Sequence, residues 1–181
     1  MADFEIKDGV GIIPEGTTKI GNYAFSDCTG LTSVTIPDSV TKIGVRAFYG
    51  CIGLTSVTIG NSVTEIGDEA FKGCTGLTSI TIPDSVTEVC SYAFSDCTGL
   101  VCVTIGTAVR SIEVGVFDGC DNLKQIILRV TDPSQIQIER GVELGGHQAT
   151  LYVPDKKSVT AFKKKAAWKK FAGIEVIDNE Q

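Results

Sequence analysis

The stretch LTSVTIPDSVTKIGVRAFYGC, residues 31–51, recurs along this chain of 181 residues at intervals of 23 residues. Phenylalanine and cysteine each recur at the same 23-residue interval, and we call each such series of equivalent positions a column: Phe25, Phe48, Phe71, Phe94, Phe117 and Cys28, Cys51, Cys74, Cys97, Cys120. A fixed period of this length is typical of stacked repeats. A 23-residue unit cannot bury its apolar side chains alone, so the units are predicted to stack around one continuous core.

Within one repeat, the residues from Leu77 to Pro83 predict a half-buried strand. Ile80 and Ile82 alternate with Ser79 and Thr81, which is the pattern of a strand with one face in the core. The segment 83–85, Pro-Asp-Ser, predicts the turn that ends the strand, because proline has no N–H to donate to a sheet.

The rest of the repeat is predicted to return along the other side of the coil. Val86 and Val89 are expected to point into the core, and residues 92–94 are expected to form one turn of helix that inserts Phe94. Glycine recurs just before each strand, and we expect these glycines to adopt a left-handed φ: Gly30, Gly53, Gly76 and Gly99.

The pattern decays at both ends, as capping units require. Residues 4–20 predict a partial first coil, and residues 131–148 an irregular excursion. Residues 150–154 predict a last strand, and 155–171 an amphipathic helix with seven lysines on its solvent side and Val159, Phe162, Ala166 and Phe171 on its apolar side. Residues 174–177 predict a closing strand.

The predicted fold class is α/β and β-rich: a solenoid of about five to six coils with a C-terminal strand–helix–strand cap. The solenoid occupies residues 1–148, including the N-terminal partial coil, and the cap occupies residues 149–181, within a single structural domain.

The charge is distributed unevenly over a chain of net charge −6. Residues 1–154 carry 9 Lys and Arg against 18 Asp and Glu, whereas residues 155–181 carry 7 against 4. The acidic repeats argue against nucleic acid or an anionic membrane as partner. No apolar run is long enough to span a bilayer. The first ten residues, MADFEIKDGV, lack the pattern of a signal peptide, which leaves open an intracellular protein or a trimmed form of an exported one.

The seven cysteines are predicted to be reduced rather than paired. The five in the column should stack at the strand spacing of about 4.8 Å with parallel Cβ vectors, which is unsuited to disulfides. Buried cysteine packs as a small apolar residue, so we expect this column to be buried. Cys90 and Cys102 lie off the column. There is no Cys-x-x-Cys pair or Cys/His cluster, so no metal site is predicted.

The unit Leu-Thr-Ser-Val-Thr-Ile-Pro-Asp-Ser-Val-Thr-x-Ile-Gly-x-x-Ala-Phe-x-x-Cys resembles the 23-residue leucine-rich repeat of BspA-like bacterial surface proteins. The resemblance covers residues 12–128, and the LYVP segment, the helix and the strand after it resemble the C-terminal segment of such proteins. It implies a curved leucine-rich solenoid at the cell surface or secreted, and binding to host matrix proteins or other cells. The family has no catalytic motif to carry over.

The strand face opposite the core is the predicted binding surface. It presents hydroxyl side chains that recur from coil to coil: Thr32, Ser33, Thr35, Thr55, Ser56, Thr58, Thr78, Ser79, Thr81 and Thr104. They can hydrogen-bond to a partner's backbone or to sugars. The alternative is that threonine simply suits exposed strand positions and that these rows are ordinary soluble surface, and the residues by themselves favour this alternative over binding. Because aromatic and arginine anchors are missing from these rows, any binding is expected to be weak or multivalent.

Other polar residues are interpreted more simply. His147, the only histidine, has no nucleophile motif near it and is expected in a surface loop. Asp27 and Asp96, like Asp38 and Asp84, fall at turn positions, where turn capping is favoured over calcium binding. The lysines of the C-terminal helix are expected to be a solvated face rather than a site for lipid or nucleic acid.

The sequence therefore predicts a non-catalytic protein-interaction module without a cofactor, an adhesion-type protein whose partners are extracellular matrix or other cell-surface proteins. A carbohydrate-binding or water-ordering hydroxyl array and an intracellular scaffold are the alternatives. An enzyme is not predicted, because no nucleophile–base pair is visible.

Overall fold

The structure is a computed structural model that describes residues 4–138, 148–168 and 170–177. Each repeat contributes one strand to the face predicted for binding and one to the opposite, returning side. The face strands are β1 (Glu5–Lys7), β2 (Val10–Ile12), β4 (Ser33–Thr35), β6 (Ser56–Thr58), β8 (Ser79–Ile82), β10 (Cys102–Ile105), β12 (Gln125–Leu128), β14 (Thr150–Val153) and β15 (Gly173–Val176). The return strands are β3 (Lys19–Ile20), β5 (Lys42–Ile43), β7 (Glu65–Ile66), β9 (Glu88–Val89), β11 (Ser111–Ile112) and β13 (Gln137–Ile138).

The strands of successive coils pair in parallel, and the register between complete repeats is the 23-residue period. Ser33 lies beside Ser56 and Ser79 beside Cys102, for example. The return strands form one six-stranded sheet, whereas the face strands form two sheets, β1-β2-β4-β6 and β8-β10-β12-β14-β15. At the N-terminal end β1 turns back to pair antiparallel with β2. The predicted stacked solenoid is thus confirmed.

Aromatic stacking runs through the core along the solenoid. The rings of Phe48 and Phe71 lie 4.9 Å apart, and those of Phe71 and Phe94 lie 5.2 Å apart, in nearly parallel planes. The column begins one ring earlier than the period shows, because Phe4 stacks on Phe25 at 5.2 Å. Val86 and Val89 are buried behind the column, as predicted.

The phenylalanines are inserted by tight turns, and the prediction of a helical turn at residues 92–94 was wrong. The Ser95 N–H donates to Tyr92 O at 3.0 Å, but Tyr92 and Asp96 both have a left-handed φ, of 57° and 58°. A left-handed residue every four positions cannot continue a helix. Because left-handed residues interrupt the turns, other backbone N–H groups remain free to donate to the next coil. The Phe94 N–H, for example, donates to Val116 O at 2.9 Å.

The glycines before the strands also differ from the prediction, because none of Gly30, Gly53, Gly76 and Gly99 has a left-handed φ. A Cβ on Gly76 would lie 2.8 Å from Ile52 O and 3.1 Å from Leu54 O of the preceding coil. Glycine is therefore needed there for the close approach of two backbones. The left-handed conformation falls instead on the residue before the column cysteine, as at Asp27 and Gly50.

All seven cysteines are free, and four of the five in the column are buried. Each buried thiol donates to the carbonyl of a phenylalanine in the preceding coil, as Cys51 does to Phe25 O at 3.0 Å and Cys74 to Phe48 O at 3.1 Å. Cys28 is only half-buried, which corrects the prediction for this residue. It lies at the end of the column, where fewer coils cover it.

The C-terminal cap extends the second face sheet, because β14 pairs with β12 and β15 with β14. The single long helix predicted over residues 155–171 was wrong: helix α1 covers Lys156–Lys163, and a separate 3-10 helix covers Ala166–Trp168. The break at residues 164–165 lets Trp168 pack edge-on against Phe162, with 4.8 Å between ring centroids. Ala166, predicted on the apolar side, is exposed as a result.

Part of the segment predicted to be irregular continues the solenoid. A 3-10 helix covers Pro133–Gln135, and Asp132 caps it by accepting from the Ser134 N–H at 2.8 Å. The following strand, β13, pairs with β11 as the sixth return strand. The 23-residue sequence period is lost in this segment, but β13 still occupies the position of a return strand in the solenoid.

Candidate functional site

The hydroxyl face is built by the parallel pairing of the face strands. Alternate residues of a strand point to opposite sides, so Ile80 and Ile82 are buried in the core while Ser79 and Thr81 are exposed. Thr35 lies beside Thr58, and Thr81 lies beside Thr104. The outward-facing side chains of the strands therefore form two rows that run along the solenoid. We call these rows the hydroxyl face: Ser33, Ser56, Ser79, Cys102 and Thr35, Thr58, Thr81, Thr104.

The column of threonines just before the strands has a different role. The Thr32 hydroxyl donates to Gly9 O at 3.0 Å, and the Thr55 hydroxyl donates to Thr32 O at 3.1 Å. Thr78 is exposed like both of them. The donor capacity of Thr32 and Thr55 is thus used to join neighbouring coils, whereas the hydroxyls of Thr78 and of the two strand rows make no hydrogen bond within the described residues.

Apolar side chains continue the rows at both ends, which the sequence analysis did not include in the site. Val10 lies beside Ser33, and the neighbouring Ile12 is 42% exposed. At the other end Ile127 pairs with both Thr104 and Tyr152 and is half-buried. The alternation in QIIL and TLYV could have indicated these outward positions. The face therefore has a polar centre with an apolar patch at each end.

An open groove on the hydroxyl face lies where its two sheets meet, since β6 and β8 are not paired. It has a volume of about 410 Å³, and the side chains along it include Ser56, Thr58, Ser79 and Thr81 with Asn61, Asp84 and Arg129. A second groove, of about 560 Å³, runs from Ile12 past Thr35 to Asn61.

The turn aspartates act between coils, as turn capping predicts. Asp38 accepts from the Asn61 N–H at 2.6 Å, and Asp84 accepts from the Thr107 N–H at 2.8 Å, in both cases one period further along the chain. These bonds hold the turns that border the grooves. Asp27 and Asp96 occupy left-handed turn positions.

A second surface collects the arginine and tyrosine side chains that the hydroxyl face lacks. Arg46 donates two hydrogen bonds of 3.0 Å to Glu69, and its guanidinium lies 5.4 Å from the ring of Tyr49 and 5.9 Å from that of Tyr23. This hydrogen bonding by Arg46 lowers the pKa of the Glu69 carboxyl. The group lies on the phenylalanine-bearing turns. The sequence analysis missed it, because its members come from three different coils.

One group of side chains has the chemistry of a metal ligand set. The ligand atoms of Asp68, Cys90 and Glu113 all lie within 4.8 Å of one another. Both carboxylates already accept from Ser91, at 3.2 Å from its N–H for Asp68 and 2.9 Å for Glu113. Burial, followed by the nearby Glu113 carboxylate, raises the pKa of the Cys90 thiol to about 12. At neutral pH the thiol is therefore protonated, which disfavours it as a ligand.

The sequence analysis also made predictions for the single histidine and for the lysines of the C-terminal helix. His147 lies outside the described residues. The lysines of α1 and of the turn after it are exposed, in agreement with a solvated face: Lys156, Lys157, Lys163, Lys164 and Lys165. Among the described residues, no helix combines the length and the apolar character that crossing a membrane requires.

Comparison with known proteins identifies the repeat. Six copies of the BspA type leucine rich repeat region match residues 11–124. A leucine rich cell surface protein from Faecalibacterium prausnitzii A2-165 is 35% identical, with a TM-score of 0.67 over 71% of this chain and 34% of the other. A leucine-rich repeat protein from Bacteroides ovatus is 30% identical, with a TM-score of 0.55 over 72% of this chain and 41% of the other.

A more distant structure shares the fold. The pneumococcal vaccine antigen PcpA is 20% identical and superposes with a TM-score of 0.80 over 94% of this chain and 42% of the other. This chain thus spans between 34% and 42% of the length of these three relatives. No curated protein matches it.

Proposed function

Because the chain belongs to the family of BspA-type leucine-rich repeat proteins, we propose that it is a non-catalytic module that binds a protein partner on its hydroxyl face. The family itself indicates a protein-interaction module. The finer proposal is an adhesion-type role at the cell surface or in the secreted state, with extracellular matrix or cell-surface proteins as partners. The relative from Faecalibacterium prausnitzii is described as a cell surface protein, which supports this location.

The observation that carries the proposal is the arrangement of the two rows. Within each of the two sheets the side chains of one row belong to strands paired in register, so similar groups recur at a spacing of about 4.8 Å from Thr35 to Thr58 and from Thr81 to Thr104, on either side of the groove. Short hydroxyl side chains lose little conformational entropy when a partner fixes them. The apolar patches around Ile12 and Ile127 add area that a partner can remove from water.

The same arrangement predicts how the binding energy is distributed. Interfaces with a few dominant residues usually rely on Trp, Tyr or Arg, and the central rows contain none of these. Each hydroxyl contributes little, because a hydrogen bond to a partner replaces one to water. We therefore expect single substitutions such as Thr58→Ala to change affinity little, and affinity to depend on several coils together.

The test is a charge substitution along one row. Thr35, Thr58 and Thr81 are all exposed, so replacing the three with lysine should leave the fold intact and remove binding. The matched control replaces Thr29, Thr75 and Thr98, which are also exposed but lie in the turns before the strands. Both variants gain the same charge, so a nonspecific effect of charge would appear in both.

The measurement is surface plasmon resonance against a panel of immobilised matrix glycoproteins, with circular dichroism to check the fold. We expect the wild type and the turn variant to bind and the row variant to lose binding. If the row variant binds like the wild type while the turn variant does not, the hydroxyl face is the wrong surface. If the wild type binds no member of the panel, the proposed partner class is wrong.

A further inference from the structure

The groove between β6 and β8 coincides with a local opening of the backbone. At the join between β4 and β6 the coils are tied by hydrogen bonds from the Thr55 N–H to Thr32 O at 2.9 Å and from the Ile36 N–H to Thr58 O at 2.8 Å. At the join between β8 and β10 the Val101 N–H donates to Thr78 O at 2.8 Å. The equivalent donors at the join between β6 and β8 are the N–H groups of Thr78 and Ile59. Within the described residues neither has a backbone acceptor. Two amide donors are therefore free at the edges of this groove.

The opening is confined to the hydroxyl face. On the return side β7 and β9 pair normally across the same join, with Glu65 beside Glu88 and Ile66 beside Val89. In the core the rings of Phe48 and Phe71 have the shortest spacing of the column, 4.9 Å. The two coils are thus closely packed on their other sides, and the groove is a feature of the surface rather than a separation of two halves.

The opening also gives the groove an apolar floor. Val57 is half-buried, whereas Val34, Ile80 and Val103, which occupy the same position in their own coils, are buried. Val57 lines the groove together with the hydroxyl-bearing strand residues. A ligand here would therefore meet an aliphatic surface below and hydroxyl groups at its sides.

The rim of the groove carries planar polar side chains that can still form hydrogen bonds to a ligand. The Arg129 guanidinium makes no hydrogen bond or ion pair within the described part of the chain. Its neighbour at the same repeat position is Gly106, which has no side chain to cover the groove. Asp84 uses Oδ1 to accept from the Thr107 N–H, so Oδ2 remains available. The side-chain amide of Asn61 completes this rim.

We propose that this groove binds a neutral saccharide that carries an acetamido group. A sugar ring has an apolar C–H face suited to Val57 and hydroxyl groups suited to Thr58, Thr81 and the rim. An acetamido carbonyl can accept from a free backbone N–H, while its methyl group adds apolar contact. The volume of about 410 Å³ falls in the range of small-ligand sites. The acidic charge of the repeats disfavours a polyanionic ligand.

This inference does not depend on the proposed protein partner, since sugar binding and protein binding are measured separately. The probe is N,N′-diacetylchitobiose, and the control ligand is cellobiose, which has hydroxyl groups in place of the two acetamido groups. Titration by NMR of the ¹⁵N-labelled protein should shift the amide signals of Thr78 and Ile59. We expect a dissociation constant on the order of 1 mM, because the groove is open and offers few strong contacts.

Two variants and one control test the location. Thr81→Val and Arg129→Gln should each weaken binding about fivefold, which corresponds to the loss of one hydrogen bond of about 1 kcal/mol. Thr104→Val is the matched control, because Thr104 lies in the same row but not on this groove. The proposal is overturned if diacetylchitobiose does not bind, if cellobiose binds equally well, or if Thr104→Val weakens binding as much as Thr81→Val.

Discussion

The stacked phenylalanines allow the stability of the solenoid to be tested at one position, Phe71. This ring is fully buried and lies between Phe48 and Phe94, at 4.9 Å and 5.2 Å. An aromatic side chain buries about 150–250 Å², which at about 25 cal/mol per Å² gives about 4–6 kcal/mol. Alanine keeps the Cβ, and measured losses for such substitutions are about 3–5 kcal/mol. Because two stacking contacts are also lost, we expect Phe71→Ala to cost about 4–5 kcal/mol.

Phe4 provides the comparison at the end of the same column. It is only partly buried and stacks on one ring, that of Phe25. Phe4 thus removes less area from water than Phe71 and has one stacking partner instead of two, so Phe4→Ala is expected to cost about 2–3 kcal/mol. The difference between the two variants depends on their positions in the stack, since the substitution is the same.

The assay is unfolding in urea, followed both by circular dichroism and by the fluorescence of Trp168, the single tryptophan. Circular dichroism reports on the whole chain, whereas Trp168 reports on the cap, so coincident transitions are needed before a free energy is assigned. Equal losses for Phe4→Ala and Phe71→Ala, or a loss below about 2 kcal/mol at Phe71, would refute the reasoning from stacked coils.

Three further predictions concern other contacts. Gly76→Ala should destabilise the protein in urea titrations, because its Cβ would press on the preceding backbone, whereas Gly30→Ala, with open space around it, should change little; equal effects would count against close approach as the role of this glycine. A thiol reagent applied to the native protein should react first with the three half-buried cysteines and only after unfolding with the four buried ones: Cys28, Cys90, Cys102 and then Cys51, Cys74, Cys97, Cys120. The pKa of Glu69 is lowered by Arg46, so the pair should stabilise the fold above the ordinary carboxyl pKa of about 4.3 and lose this effect as the pH falls through the lowered value. Glu69→Gln should thus cost up to about 1 kcal/mol at pH 7, since the pair is partly exposed, and the cost should shrink as the pH falls through the lowered pKa of this carboxyl; a cost that stays constant over the whole acid titration would contradict an ionic contribution.

Much of the fold could be predicted because the same constraint acts in every coil. A residue such as Phe71 or Ile80 must face a neighbour of its own kind one period away, so period and alternation together indicate which side chains are buried. The hydroxyl face follows from the same alternation. Its two rows, including Thr58 and Thr81, could therefore be located from sequence, although their binding role remains a proposal.

The features that differ from coil to coil could not be predicted in this way. The sequence pattern at residues 54–60 is nearly that of any other coil, yet β6 does not pair with β8. The arrangement of Arg46 between Tyr23 and Glu69 joins residues 23 positions apart in three coils. Such contacts depend on the path that a long side chain takes across the boundary between two coils. The sequence motif of a single repeat contains no information about that path.

The sequence by itself therefore determined the repeat, its register and its buried columns, because a 23-residue period leaves one way to superpose equivalent apolar residues. Only the tertiary structure decided the conformation of the connections. Gly53, Gly76 and Gly99 are required by the backbone of the previous coil, and the cap helix ends where Trp168 can pack on Phe162. The first contact joins neighbouring coils, and the second joins two side chains of the cap across the end of its helix. In both cases close packing, rather than local backbone preference, selects the conformation.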